Sequence, residues 1–210
     1  MLELGQVLAG PFAAQPRDWN PVVYCWRGGS RSWSLATVLT RIGWRTGLLE
    51  GGYRSYRQRI VAEIDRLVAG FRFVVVAGPT GTGKTRLLGR LSELGLQVLD
   101  LEGLANHRGS VLGGLPDSPQ PSQKAFDGSL FRTLSRLDPL QPVVVESESR
   151  KIGQIHLPDA LIGRMRAAEC VVLELPVDLR VSLLREAYPH LERDGSPLAA
   201  KLQRLAPLYQ

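Results

Sequence analysis

Cysteine is scarce in this chain: Cys25 and Cys170 are the only two among 210 residues. Two cysteines make no disulfide framework, so a reducing compartment is the expected setting. Long apolar runs are missing as well, and no stretch approaches the roughly 18 residues a membrane span requires. The opening MLELGQVLAGPF has Glu3 and no basic segment, which excludes a secretory signal pattern. Internal repeats and low-complexity tracts are absent. These absences predict a soluble cytoplasmic protein with no membrane association. A tightly bound cofactor and a resident metal site are not expected either.

What is present is positive charge. Lys and Arg total 26 against 20 Asp and Glu, a net charge of +6, with an isoelectric point near 9.7. The excess favours an anionic partner such as nucleic acid or a phosphorylated small molecule.

The chain reads as α/β in two parts. PVVYC (Pro21 to Cys25) is a short apolar strand ending in a glycine-rich turn. SWSLATVLTRIGW has helical spacing through Leu35, Val38, Leu39 and Ile42, and Gly43 stops it. RTGLLEGGY reads as a second short strand, and the basic helix RSYRQRIVAEIDRLVAG closes the first part. From Phe71 the pattern changes. FRFVVVAG is a continuous apolar run, as expected for a parallel strand buried on both faces. LQVLDL, QPVVVES and ECVVLELP repeat the strand signal, alternating with helical KTRLLGRLSEL, SQKAFDGSLFRTLSRL and PDALIGRMRAAE. Domains are therefore expected over 1–69 and 70–210, the second built on a parallel sheet. EGLANHRGSVLGGLPDSPQP has no period and reads as a long functional loop.

GPTGTGKT, Gly78 to Thr85, matches the G-x4-G-K-[ST] pattern between a buried strand and a helix. Gly78, Gly81 and Gly83 let backbone N–H groups converge on phosphate oxygens, and Lys84 adds a mobile cation. Thr85 is placed to ligate a magnesium ion held by bound phosphates. A nucleotide hydrolase also needs an acid at a neighbouring strand end. Here VVVESES offers Glu146 and Glu148 rather than the usual aspartate. The motif thus predicts a diphosphate or triphosphate site without saying what the phosphates carry.

YCWRGGSRS surrounds Cys25 with Arg27, Gly28, Gly29, Ser30 and Arg31. A turn of this kind aims N–H groups at the sulfur, and the two arginines add positive charge; both favour thiolate. The Cys-x5-Arg-Ser spacing also suits a phosphatase, although Tyr24 stands where many phosphatases have histidine. A sulfurtransferase would use the same cradle for an anionic sulfur adduct, and the third alternative is a structural thiol. Cys170, in an apolar strand with no glycine or cation beside it, is expected to be inert core.

YCWRGGSRS together with LEGGYRSYR resembles the C-terminal half of a rhodanese domain. Its fusion to a P-loop domain resembles the bacterial tRNA 2-selenouridine synthase family. DLEGLANHRGS, QPSQKAFD, VVVESESRKIG and LELPVDLRVSLL extend the resemblance over nearly the whole chain. It implies a transferase that S-geranylates a wobble 2-thiouridine of tRNA with geranyl diphosphate, then replaces the geranylthio group with selenium from selenophosphate. Cys25 would hold selenium as a perselenide-like adduct, and Gly78, Gly83, Lys84 and Thr85 match the family's phosphate-binding motif. Set against a whole rhodanese domain, the chain starts close to Cys25 and stops early, so a shortened chain is expected.

Other residues have two readings each. Arg41, Arg45, Arg54, Arg57 and Arg59 either meet tRNA phosphates or form a solvated face. His107 and Arg108, just past a strand end, and Arg150 with Lys151 are candidate substrate or tRNA contacts, as are Glu146 and Glu148. Trp19, Trp26, Trp33 and Trp44 read as core or rim, with stacking on a base or packing against a geranyl chain as the alternatives for Trp26. The rival functions are a P-loop ATPase or kinase with a vestigial rhodanese segment, and a tRNA-binding module without catalysis. A Cys-x5-Arg phosphatase has no further support in the chain.

Overall fold

The computed structural model describes residues 6, 9–10, 12–110, 113–114 and 118–188. The extreme N-terminal stretch, the closing KLQRLAPLYQ and part of the glycine- and proline-rich loop lie outside the described residues. Two compact units divide at Ile60 and Val61.

In the first unit, β1 (Val22–Val23) leads through the glycine loop into α1 (Ser30–Ile42), and the chain returns as β2 (Gly47–Leu48). The two strands are parallel, with Val22 opposite Gly47 and Val23 opposite Leu48. Gly43, with φ of +117°, closes α1 by donating its N–H to the carbonyls of Leu39 and Thr40. Val23, Ala36 and Leu39 form the core, with Phe12, Leu35 and Trp44 packed against them. The inward stripe is thus Ser32, Ala36 and Leu39, rotated from the expected one, and Ile42 is exposed. Rotation follows from Ser32, whose hydroxyl is tied into the glycine loop. Trp19 and Trp44 meet edge to face at 5.3 Å, with Phe12 5.3 Å from Trp19. Those two tryptophans pack together, whereas Trp26 and Trp33 are exposed. α2 (Gly52–Gly70) starts in this unit and runs across the division.

The second unit is an α/β layer structure on a four-stranded parallel sheet. Its strands are β3 (Phe73–Ala77), β4 (Gln97–Leu99), β5 (Val143–Glu146) and β8 (Glu169–Val172), in the order β4-β5-β3-β8. Central β5 is buried at all four residues, as its unbroken apolar run demands. α3 (Lys84–Glu93) packs Leu88 onto Val76 and Val144 on one face. α6 (Asp159–Arg166) contacts β3 and buries Leu161, Ile162 and Met165.

The helix after β4, the hairpin after β5 and the helix that ends the described chain depart from expectation. Leu101–Ala105, spanning the end of the expected strand run and the start of the expected loop, form a short helix, α4, started by Asp100, whose side chain accepts the Gly103 N–H at 2.7 Å. α5 (Gln123–Leu134) follows, and a hairpin of β6 (Lys151–Ile152) and β7 (Ile155–His156) comes after β5. α7 (Val177–Ala187) ends the described chain. Cys170 is corrected from core to exposed: β8 is the edge strand, exposed along its whole length, and an apolar run does not distinguish an edge from a centre. Among the described residues, no helix is long and apolar enough to cross a membrane.

Candidate active site: a thiol loop and a phosphate loop

Cys25 stands between the end of β1 and the start of α1, partly buried. The first N–H groups of α2 have no partner within their own helix. Those of Tyr53 and Arg54 donate to the carbonyls of Cys25 and Trp26 at 2.9 and 3.0 Å, which pins the loop. The closeness of this approach explains the paired glycines. A Cβ on Gly28 would come within 2.7 Å of the Gly52 nitrogen, and one on Gly52 would overlap the Cys25 carbonyl and the Gly28 nitrogen. Both have φ above +60°.

The thiol is pulled down from its ordinary value of 9.0 to about 6. The largest cause is the Ser32 hydroxyl, 3.3 Å from Sγ, and backbone N–H groups of Arg27, Gly29 and Ser32 add to it against partial desolvation. The expected inward N–H groups are therefore there. The expected charge effect of Arg27 and Arg31 is corrected: both side chains are exposed, and hydrogen bonds alone lower the thiol. Ser30 opens α1 and is exposed. Buried Ser32 is the residue that sequence reading leaves out of the cradle. Its single proton also has the Gly29 carbonyl as an acceptor, at 2.9 Å.

In the second unit, β3 ends at Ala77 and α3 begins at Lys84, so Gly78 to Gly83 form the loop between them. Gly78, Gly81 and Gly83 all have positive φ, from +80° to +148°. Lys84 Nζ donates to the Gly78 carbonyl at 2.8 Å, lying back across the loop. Thr85 donates to Glu102 Oε2 at 3.3 Å, and the Glu102 N–H donates to Glu146 Oε1 at 2.8 Å. The three carboxyl groups are all held above the usual range. Burial first, then the charge of Glu102, raises Glu148 to about 7. Burial raises Glu146, 1% exposed, to about 8. Burial raises Glu102 as well.

These groups line a cavity of about 490 Å³ at the C-terminal ends of the strands, within the usual size range of small-ligand sites (roughly 300–1,000 Å³). Gly78, Gly81, Gly83, Lys84 and Thr85 form its floor, with Glu102, Glu148 and Arg108 beside them. α7 supplies an apolar wall of Leu183, Leu184 and Ala187, continued by Tyr188. α7 is latched in place by Arg180, which donates to the Thr80 carbonyl at 3.1 Å, and by an ion pair between Arg86 and Glu186. Arg108 stacks 5.0 Å above the Tyr188 ring, and its Nη1 is buried with no hydrogen-bond partner.

The other sequence candidates fall elsewhere. His107 sits in a bridge with Gly114 and is not among the cavity-lining residues; burial lowers its pKa. Glu146 lies beneath the cavity and meets it through Glu102. Arg150 pairs with Asp159 at 3.3 Å, and exposed Lys151 opens the β6–β7 hairpin, so neither reaches the cavity expected for them. The apolar signal that precedes them does not show that the chain turns into a hairpin past the strand end. Glu102 and the α7 wall escape sequence reasoning. Their signals are the Asp100 N-cap ahead of Leu101 and Leu104, and the Pro176 start of a run with leucines at 179, 183 and 184.

A family model described as tRNA 2-selenouridine synthase AAA domain matches residues 71–197. The chain belongs to this tRNA 2-selenouridine synthase family. Among its relatives, a tRNA 2-selenouridine synthase of Nitrosomonas europaea is 40% identical over 170 residues, covering 80% of this chain and 44% of the relative. The Sulfurovum synthase is 37% identical over 171 residues, with 80% and 46% covered. The Marinobacter nauticus synthase is 35% identical over 199 residues, with 89% and 53% covered. The chain spans about half the length of the curated relatives it matches. Among solved structures, AMPPCP-bound DnaA from Aquifex aeolicus gives a TM-score of 0.30 at 16% identity, covering 68% of this chain and 52% of that one. So loose a likeness informs nothing about the site. The synthase family match reaches both the phosphate loop and α7.

Proposed function

We propose that this chain carries two chemical centres of a transferase converting wobble 2-thiouridine of tRNA to 2-selenouridine. The phosphate-loop cavity takes geranyl diphosphate, and the Cys25 loop takes selenium from selenophosphate. The family match supports the overall reaction. One observation carries the assignment of the cavity: the phosphate loop and a hydrocarbon wall line the same space. Leu183, Leu184 and Ala187 suit an isoprenoid tail, while Lys84, Arg108 and the loop N–H groups suit its diphosphate.

In the first step the thiouridine sulfur attacks the first carbon of the geranyl group. The carbon–sulfur bond forms as the carbon–oxygen bond breaks, diphosphate departs with the electron pair, and the N3 proton of the base is lost to solvent. Lys84 and the glycine-loop N–H groups stabilise the charge that gathers on the leaving diphosphate. The raised pKa of Glu146 and Glu148 keeps part of this cluster protonated near neutrality, which reduces its repulsion of diphosphate. Among the described residues, no group of three or more His, Cys, Asp or Glu is arranged to hold a metal. Thr85 would be the residue to hold Mg2+ brought in by bound phosphates, and the ion would supply further charge neutralisation there.

In the second step the Cys25 loop, which resembles that of a rhodanese, holds the selenium species in a cradle tuned for an anionic atom at sulfur. The selenium of the held selenophosphate attacks the base carbon, the carbon–selenium bond forming as the carbon–sulfur bond breaks; geranylthiolate leaves with the electron pair, and water then cleaves the phosphorus–selenium bond to release phosphate. The test is direct: thiolated tRNA is incubated with the chain and geranyl diphosphate, with and without selenophosphate, and the nucleosides are weighed. Two successive mass shifts are expected. A chain that hydrolyses ATP without tRNA and leaves the base unchanged would overturn the reading in favour of a P-loop ATPase.

A further inference from the structure

The surface around the thiol loop has a feature the two-step reaction does not use. Tyr24 and Trp26 flank Cys25, and Tyr53 and Tyr56 lie in the first turns of α2. Their rings form one connected set centred on Tyr53. Tyr24 stacks on it at 6.4 Å and 25°, Trp26 lies at 5.6 Å, and Tyr56 at 6.1 Å. The outer three rings are open to solvent, at 58%, 47% and 47% exposure for Tyr24, Trp26 and Tyr56. They contrast with Phe12, Trp19 and Trp44 of the same unit, which pack against one another.

The charge of this stretch is predominantly positive. From Tyr24 to Ile60 the chain has seven arginines (27, 31, 41, 45, 54, 57 and 59) and one acid, Glu50. Arg27 and Arg54 are exposed and adjoin Trp26 and Tyr53 in sequence, and Arg31, also exposed, lies in the first turn of α1. A contiguous exposed aromatic surface costs solvation and is seldom kept without a partner. Rings set among arginines suit one chemistry in particular: unstacked bases lie on the rings while phosphates meet the guanidinium groups. An apolar protein partner would not call for the arginines, and a duplex would not expose base faces to the rings.

We propose that Tyr24, Trp26, Tyr53 and Tyr56 form a stacking platform for unstacked bases of single-stranded RNA at the rim of the Cys25 loop. Arg27, Arg31 and Arg54 hold the flanking phosphates. The choice of RNA rests on the transferase reading above; the stacking itself does not. The platform fits the needs of that reading, because base chemistry requires the target nucleotide out of its stack. Its hub is tied to the thiol loop by the Tyr53 N–H, which donates to the Cys25 carbonyl.

The experiment is fluorescence anisotropy with a labelled single-stranded RNA of anticodon-loop length, and with the same strand annealed to its complement. Trp26→Ala and Tyr56→Ala are each expected to weaken binding of the single strand about tenfold and leave the duplex unchanged. Trp26→Phe is expected to keep most of the affinity, since a flat ring remains. The slope of log affinity against log salt stays unchanged in these variants, whereas Arg54→Ala lowers it by about 0.7. A thiol that still titrates near 6 in Trp26→Ala establishes that the loop has kept its shape. Single-strand binding equal to wild type in both alanine variants overturns the platform, as does equal loss for single strand and duplex. The transferase reading is scored separately by nucleoside mass. Stacking without any base change removes that reading and leaves the platform standing. Base change with unaltered binding in the alanine variants removes the platform and leaves the reading.

Discussion

The thiol loop and the phosphate loop have the same local plan. Each follows a parallel strand, turns at glycine with positive φ (Gly28 in one, Gly78, Gly81 and Gly83 in the other) and opens a helix at its N-terminus. They differ in where the negative charge resides. At the thiol loop the protein's own sulfur carries the charge, and a serine hydroxyl with backbone N–H groups stabilises it. At the phosphate loop the charge is to arrive with a ligand. There the protein supplies Lys84 and keeps its nearby carboxyl groups partly protonated. One backbone arrangement therefore serves either to hold an anion permanently or to receive one, and the neighbouring side chains decide which.

Replacing the charged centre of one loop tests this division most severely. Lys84→Ala is expected to lower geranyl transfer about a hundredfold or more, in line with removing a preorganised donor from a developing anion. Iodoacetamide labelling of Cys25 should be unchanged in the same variant. Cys25→Ala is the mirror case: selenation disappears and geranylation continues. Loss of geranylation in Cys25→Ala would show that the two loops do not act separately, as would failure of Lys84→Ala to selenate tRNA supplied already geranylated. The second-largest effect is expected at Gly52. Alanine there meets the Cys25 carbonyl and the Gly28 nitrogen at a φ of +64°, and should cost on the order of 3 kcal/mol. Urea denaturation reads that loss, and a thiol titrating back near its ordinary value would show that the loop has opened.

The two loops also differ in how much of them the sequence reveals. Gly78 to Thr85 is a continuous local pattern, and its strand, turn and helix are visible without tertiary information. What surrounds it is not. Arg180 reaches Thr80 across a hundred positions of chain, and the α7 wall follows from that latch rather than from spacing. Glu102 sits in a stretch with no period, and its role emerges only because its N–H meets Glu146 on β5. At the thiol loop the glycines are readable, but the attribution of the lowered pKa to Arg27 and Arg31 does not hold. Charge is conspicuous in a sequence, whereas a serine seven residues away matters only once α1 turns its face inward. Cys170 makes the same point: its apolar neighbours predict burial, and only the strand order makes β8 an edge.

A smaller effect probes what the phosphate loop has and the thiol loop lacks, the apolar wall. Leu183 lines the cavity, and its Cδ1 lies 3.7 Å from where a Cβ on Gly83 would stand. Leu183→Ala is expected to weaken geranyl diphosphate binding roughly tenfold through lost apolar contact. Inorganic diphosphate, which has no tail, should bind as before. Calorimetry with both ligands separates the outcomes. Equal weakening would mean that α7 supports the loop rather than the hydrocarbon.

The smallest effect is the finest test of how the thiol loop stabilises charge. Thiolate is the reactive form, so labelling of Cys25 should rise with pH, reach half its plateau near pH 6 and level off above it. Ser32→Ala removes the leading cause of the lowered pKa and leaves the backbone N–H groups in place. The rise should then move to higher pH, toward the ordinary thiol range. At pH 6.5 labelling is expected to fall about fivefold, the effect of losing one hydrogen bond to the charged form, and above the new midpoint the two proteins should converge. An unshifted curve would mean that the hydroxyl gives its proton to the Gly29 carbonyl, its nearer acceptor at 2.9 Å, even when sulfur is charged. The glycine-loop N–H groups would then hold the thiolate alone, which would bring the two loops closer in mechanism than their side chains imply.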